Sequence, residues 1–416
     1  VSETALTAVN ISMPFTMGLF SISILFAVGT STITAIFLGQ KNIQKGNEIF
    51  TQNIVSLIIL SIIISVLVWI FLDPFARFLG ATDANLEYVK EYIGTLAPFS
   101  FGFILSYSFE TLIKTDGYPK LATIIVISGA VSNCILDYIF IMKFDWGVFG
   151  AAFATGLSQV IVIIFYLKHF LSKKGTIKFT RFKWNLSLIG RQIRNGASSG
   201  ITEMSTGFTI FFFNHYILRY LSEDALVSYT IISYVSSIVI MSMVGIAQGS
   251  QPLISYYYGQ NRRDRYQKLL RYGMVAAAVT SVLAFAFCYI GANPIVSLFL
   301  SNPGSELHAY SVDVLQIFSI SFLLAGFNVV ASGYFTSIEF TVSATLISLG
   351  RGFVFIMLSL WRLTCIFGGP GIWWDPVFSE ALGLVLSFVP LLKTSRDSKK
   401  LRTLYTELWR PMQKGC

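Results

Sequence analysis

Along this chain, long apolar runs are separated by short polar segments. The runs cover approximately 6–37, 48–72, 89–114, 119–142, 147–170, 187–218, 225–258, 266–292, 308–338, 341–365 and 371–393. Each is about 20 residues or longer, enough to cross a bilayer as a helix. The pattern therefore predicts about eleven spanning helices and no strands. Pro14, Pro98, Gly102, Pro252 and Gly326 fall inside runs. In a membrane such positions serve as packing or bending points.

Composition agrees with the pattern. The 416 residues are 54% hydrophobic and 12% charged, with a mean hydropathy of +0.67; soluble domains carry roughly twice that charge. The net charge of +9 sits mostly in a few loops and in the tail, so it signals topology and not nucleic-acid binding. Lys41 and Lys45 lie on one side, and Asp73, Asp83 and Glu87 on the other. Lys114 and Lys120 return to the first side, as do Lys168, Lys173, Lys174, Lys178, Arg181 and Lys183. Glu223 and Asp224 face Arg262, Arg263, Arg265, Lys268 and Arg271 in the same way. By the positive-inside rule the basic set and the C-terminal tail are cytoplasmic, in a plasma-membrane protein whose Val1 starts outside. No basic leader precedes the first run. Cys134, Cys288, Cys365 and Cys416 show no ligand spacing, which predicts free thiols. His169, His215 and His308 lie at span ends, away from any metal-site spacing.

The chain also repeats itself. Ala5-Leu6 through Gly39-Gln40 matches Ala225-Leu226 through Gly259-Gln260 at a constant offset of 220, and Gly29 falls on Gly249. Asp73-Pro74 falls on Asn293-Pro294 at the same offset, while Gly150 and Gln159 match Gly371 and Glu380 at 221. Two halves with an even number of spans share one orientation and are related by an axis along the membrane normal. The predicted fold is an all-α polytopic membrane protein of two six-helix lobes. Its segments are an N-lobe at 1–171, a basic cytoplasmic linker at 172–185, a C-lobe at 186–393 and a basic tail at 394–416. The same offset sets the counterpart of 187–218 before Val1, so the first helix of the N-lobe is expected to be missing from this chain.

Few ionisable groups interrupt the spans, and each is a functional candidate by default. Asn133 and Asp137 stand four apart and share a helix face. Thr155 descends from the next turn to a similar depth, roughly 9–12 Å into the apolar layer. Three oxygen donors at one depth could hold a monovalent cation or a proton; the bland alternative is a hydrogen-bonded pin between helices. Glu203 lies on a helix made polar by Ser198, Ser199, Thr202, Ser205 and Thr206. Glu380 is the third carboxylate, and its repeat partner is the neutral Gln159. Glu110 and Lys114 form an interfacial pair by spacing, and Arg351 and Glu339 are expected to be interfacial too. No Gly-x-x-x-x-Gly-Lys-Ser/Thr motif occurs, which argues against ATP hydrolysis and against an enzyme.

In their order and spacing, six stretches resemble the multidrug and toxic compound extrusion (MATE) family, in its bacterial multidrug branch. They are Leu79-Gly80-Ala81, Lys114-Thr115-Asp116-Gly117-Tyr118-Pro119, Asn133-Cys134-Ile135-Leu136-Asp137, Gly150-Ala151-Ala152-Phe153-Ala154-Thr155, Tyr257-Tyr258-Gly259-Gln260-Asn261, and Gly371-Ile372-Trp373 leading to Glu380. The resemblance implies a monomeric twelve-helix antiporter around a V-shaped cavity, without a cofactor. It would export amphiphilic, often cationic compounds against Na+ or H+. It also implies a cation site at Asn133, Asp137 and Thr155, with Glu203 and Glu380 as candidates for substrate or a second cation. The first-helix Asp of many relatives has no match here, and neither does the tenth-helix acid, since 308–338 holds only Asp313. A lipid-linked oligosaccharide flippase of the same superfamily is the alternative, disfavoured because few Lys or Arg lie within the spans. A non-transporting scaffold would have no use for Asp137 and Glu203.

Overall fold

The computed structural model describes residues 3–172, 174–300, 302 and 304–396, with the side chains of 3–6 and 392–396 excepted. Residues 397–416 of the basic tail, with Cys416, lie outside the described residues, as does Lys173. The helices in chain order are α1 (Glu3–Gly39), α2 (Ile43–Ile70), α3 (Leu72–Phe78), α4 (Leu86–Leu96), α5 (Ser100–Thr115), α6 (Pro119–Asp137), α7 (Gly147–Leu171) and α8 (Leu186–Tyr220). They continue with α9 (Glu223–Gly259), α10 (Arg263–Ile290), α11 (Ala292–Ser297), α12 (Glu306–Ser319), α13 (Phe322–Ser337), α14 (Thr341–Leu349), α15 (Phe355–Phe367) and α16 (Gly371–Arg396).

Among the described residues nine helices are long and apolar enough to cross a membrane, or ten if the pair α12 and α13, bent by 42°, counts as one span. The expected span at 187–218 is covered by a helix, α8, which has 35 residues. It falls outside that set because Arg191, Arg194, Glu203 and a run of hydroxyl residues dilute its apolar character. The break at Ala97–Phe99 between α4 and α5 follows from Pro98, which cannot donate a backbone hydrogen bond.

The chain divides into two compact units. The first is Val1–Glu203 with Gln251–Tyr266 and Ser337–Glu339; the second is Met204–Ser250, Gln267–Thr336 and Phe340–Cys416. The first unit thus runs past the linker and takes in one end of α9. Close backbone approach explains this. A Cβ added at Gly29 would run into the Gln192 carbonyl, and one at Gly196 into the Leu25 carbonyl. Gly39 and Gly259 likewise meet the backbones of Tyr256 and Ile36. Lipid tails are as apolar as leucine, so tight small-residue crossings and shared hydrogen bonds hold such helices together. Arg191 adds a bidentate pair to Glu339, with both bonds at 2.7 Å, and Asn195 donates to the same carboxylate at 2.8 Å. Glu339 is therefore partnered within this unit.

The linker is strapped to the first unit. Asp116 Oδ1 accepts from the backbone N–H groups of Thr176 (2.8 Å) and Ile177 (2.9 Å), and its Oδ2 meets His169 Nε2 at 2.8 Å. Asn47 Oδ1 accepts from Lys178 N, and Thr51 Oγ1 from Thr180 N. Ile177 is fully buried, and Phe179 joins the cluster of Phe50, Phe109 and Phe170, its ring centroid 4.8 Å from that of Phe50.

In the second unit Phe213 stacks on Tyr229 at 4.9 Å. Ser228 and Ser311 share a hydrogen bond of 2.7 Å, and Trp373 Nε1 donates to Tyr310 at 2.8 Å. Cys134, Cys288 and Cys365 are free thiols.

Candidate functional site

α6 and α7 form an antiparallel hairpin. Val162 packs on Gly129, and the Phe140 carbonyl faces Gly150. These two pairs fix a register in which Thr155 stands level with the helical turn between Asn133 and Asp137. Both residues belong to the regular part of α6, so they keep the shared face of an i,i+4 pair. Immediately after Asp137 the backbone widens into a π-turn at Tyr138–Lys143. Such turns are rare and concentrate at functional sites. Asp145 (φ 55°) and Gly147 (φ 52°) then close the connection in the left-handed region.

The three side chains differ in how far they are committed. Thr155 Oγ1 donates to the Ala151 carbonyl at 2.9 Å, which leaves its lone pairs available. Asn133 Nδ2 is buried without a hydrogen-bond partner. The Asp137 carboxylate is half-buried and makes no hydrogen bond or ion pair with a described residue. Tyr92 of α4 lies against Thr155 and within electrostatic reach of Asp137. Its place follows from α4's buried stripe of Val89, Tyr92, Ile93 and Leu96, a spacing of three, one and three that the sequence already displayed. One carboxylate among neutral oxygens suits a proton or a small monovalent cation.

The other two carboxylates stand elsewhere. Glu203 is the final residue of the first unit, exposed on α8 and without an ion pair among the described residues. No hydrogen bond joins it to Asp137. Glu380 lies in the second unit and is fully engaged. Arg351 grips it in bidentate fashion, Nε to Oε2 at 2.9 Å and Nη2 to Oε1 at 2.5 Å. Asn328 Nδ2 donates to Oε2 at 2.7 Å and to the Glu380 carbonyl at 2.9 Å, while Asn328 Oδ1 accepts from Ser387 at 3.0 Å. The side chains of Arg351 and Glu380 are 13% and 15% exposed, which makes this an internal ion pair. The expectation that Arg351 is interfacial is therefore corrected: it sits in a π-turn, Gly350–Val354, and pairs with Glu380 of α16. Glu110 and Lys114 pair at 2.5 Å as their spacing requires.

Sequence reasoning missed three participants: Tyr92, Asn328 and Asp375. The signal for Asp375 was present, a second carboxylate beside Glu380 in the last apolar run. Asn328 carried no comparable mark, because its partner comes from a distant helix.

Comparison with known proteins now has a geometry to meet. The multidrug export protein MepA of Staphylococcus haemolyticus is 25% identical over 382 residues, covering 91% of this chain and 83% of that protein. MepA of Staphylococcus aureus strain MRSA252 is 24% identical over the same extent. In fold the chain is similar to MATE in complex with MaD3S, with a TM-score of 0.88, 20% identity and coverage of 95% of this chain and 90% of that one. It is also similar to the outward-facing conformation of a multidrug resistance MATE family transporter of the MOP superfamily (TM-score 0.87, 21% identity, 94% and 87% covered). The MatE family model matches residues 1–139 and 201–361. It takes in Asn133, Asp137 and Glu203 and leaves Thr155, Asp375 and Glu380 outside. With most of its length matched by that model, this multi-pass membrane protein belongs to the MatE family.

Proposed function

We propose that the chain is a secondary antiporter that exports amphiphilic, often cationic drug-like compounds in exchange for Na+ or H+ by alternating access. The observation that carries this reading is Asp137: a half-buried carboxylate without an ion pair among the described residues, flanked by the uncommitted amide of Asn133 and by Thr155 and Tyr92. The export of drugs by its MepA relatives supports the substrate class.

The chemistry follows from charge. An ionised Asp137 in a low-dielectric surround attracts a cation more strongly than the same carboxylate would in water. A proton or Na+ held by Asp137, with oxygens from Asn133 and Thr155, cancels that charge. The two states then favour different conformations, and a ligand with unequal affinity for them moves the equilibrium. Glu203, exposed and unpaired, is the carboxylate available to a cationic substrate. Glu380 acts through its pair with Arg351 to hold the second unit together. The protein works as a monomer in the plasma membrane, and the loop charges favour a C-terminus in the cytoplasm.

Transport of a permanently cationic fluorescent dye into inverted vesicles tests the reading. An imposed H+ or Na+ gradient drives uptake in the wild type, and replacing one ion by the other identifies the coupling ion. Vesicles that move no dye under either gradient, while the protein is present and folded, would refute it.

A further inference from the structure

The buried acid that the transport reading leaves unused is Asp375, one turn into α16. It is 0% exposed, and neither of its carboxylate oxygens has a hydrogen-bond partner among the described residues. Its surroundings come from four helices of the second unit. Tyr216 of α8 and Tyr229 of α9 lie within electrostatic reach, and the Leu360 backbone of α15 comes close to the carboxylate. On α12, Tyr310 is held by Trp373, two residues before Asp375. No Lys or Arg pairs with it among the described residues. Arg219 acts on Tyr216 and lies over the Tyr220 ring, and Cys365 acts on Tyr216 as well.

Glu380, five residues on in the same helix, is held by a guanidinium and an amide. Asp375 has neither among the described residues, and an ionised carboxylate fully buried without a charged or hydrogen-bonded partner is strongly disfavoured. A proton bound to the carboxylate removes that cost. The repeat adds a second line of argument. The offset that aligns Gln159 with Glu380 sets Ala154, next to Thr155, at Asp375. The second unit thus carries its own acid beside the place where the first unit has a neutral oxygen ligand.

We propose that Asp375 is a proton-binding site of the second unit, separate from Asp137, and that exchange of its proton with the face assigned to the outside by the loop charges is part of the transport cycle. Only an O–H bond forms or breaks: hydronium supplies the proton to the carboxylate when the site opens, and water takes it back. The cycle half of this proposal rests on the export reading; the proton half does not.

Infrared spectra of the purified protein at neutral pH test the proton half. A protonated-carboxyl C=O band that is lost in Asp375→Asn and retained in Asp137→Asn is the expected result. Absence of the band from the wild type, or its retention in Asp375→Asn, overturns the proposal. Proteoliposomes with an imposed pH gradient and a permanently cationic dye test the cycle half. Asp375→Asn should bind dye at equilibrium as the wild type does, yet lose roughly tenfold in gradient-driven export. Export equal to wild type overturns the cycle role, and wild-type liposomes that move no dye remove the export reading while the infrared result stands. If Asp375→Asn is not recovered folded, Asp375→Glu replaces it in both assays, with a displaced band and a shifted pH midpoint of export expected. An unmoved band and midpoint overturn the proposal.

Discussion

The hairpin around Asp137 and the cluster around Glu380 are two solutions to one problem, a carboxylate inside a membrane helix. In the second unit a guanidinium and an amide occupy both oxygens of Glu380. In the first unit nothing comparable reaches Asp137. A paired carboxylate is fixed in one charge state and serves the fold. An unpaired one keeps its charge negotiable and can serve transport. The internal repeat sharpens the contrast. At either offset, 220 or 221, Asp137 falls on an apolar residue, Met357 or Leu358, while Glu380 falls on Gln159. At these two positions, two halves built from one plan have diverged.

The largest effect should come from making Asp137 neutral. Asp137→Asn keeps the shape of the side chain and cannot change charge, so gradient-driven export should fall by roughly 100-fold with unchanged thermal unfolding. Export at the native rate would place Asp137 with Glu380 as a structural acid. Next comes Arg351→Met, which strands the Glu380 charge. It should lower unfolding stability by about 3–5 kcal/mol, and the double variant with Glu380→Gln should recover much of that loss. If the single variant is as stable as the wild type, the pair does not hold the second unit.

Glu203→Gln has a smaller, selective effect. Vesicle uptake should drop roughly fivefold for cationic dyes and change little for neutral ones, because only the cation feels the lost charge. Equal losses for both classes would take Glu203 out of substrate attraction. The smallest effect is expected from Tyr92→Phe. Losing one hydroxyl beside Thr155 is worth about 1 kcal/mol, or roughly a fivefold weaker response to the coupling ion. An unchanged ion dependence would detach Tyr92 from the site.

What the sequence discloses here depends on range. The spans follow from apolar runs, the polarity of α8 from its own residues, and the Glu110–Lys114 pair from a spacing of four. Asn133, Asp137 and Thr155 were legible because a short turn separates them, and helical rise alone places them at one depth. The partnership of Arg351 with Glu380 was not legible: the two lie 29 positions apart on successive helices, and periodicity says nothing about which residue a neighbouring helix presents. The π-turns after Asp137 and around Arg351 were hidden for a different reason. Their i→i+5 bonding has no residue signature comparable to a cap or a proline. Asp375 was legible as an acid sharing the last apolar run with Glu380; its isolation depends on how four helices pack around it.

The strapped linker has a consequence for how the protein meets proteases. Between Lys174 and Lys183 it offers a string of basic residues that trypsin would choose first on paper. Cleavage needs several residues of free, extended backbone, and here Asp116, Asn47 and Thr51 hold the N–H groups of Thr176, Ile177, Lys178 and Thr180. With Ile177 and Phe179 anchored in the core, the stretch must peel away before it can be cut. The rate of nicking in this linker then reports how often the first unit opens locally, which turns an apparent weak point into a gauge of that unit's breathing.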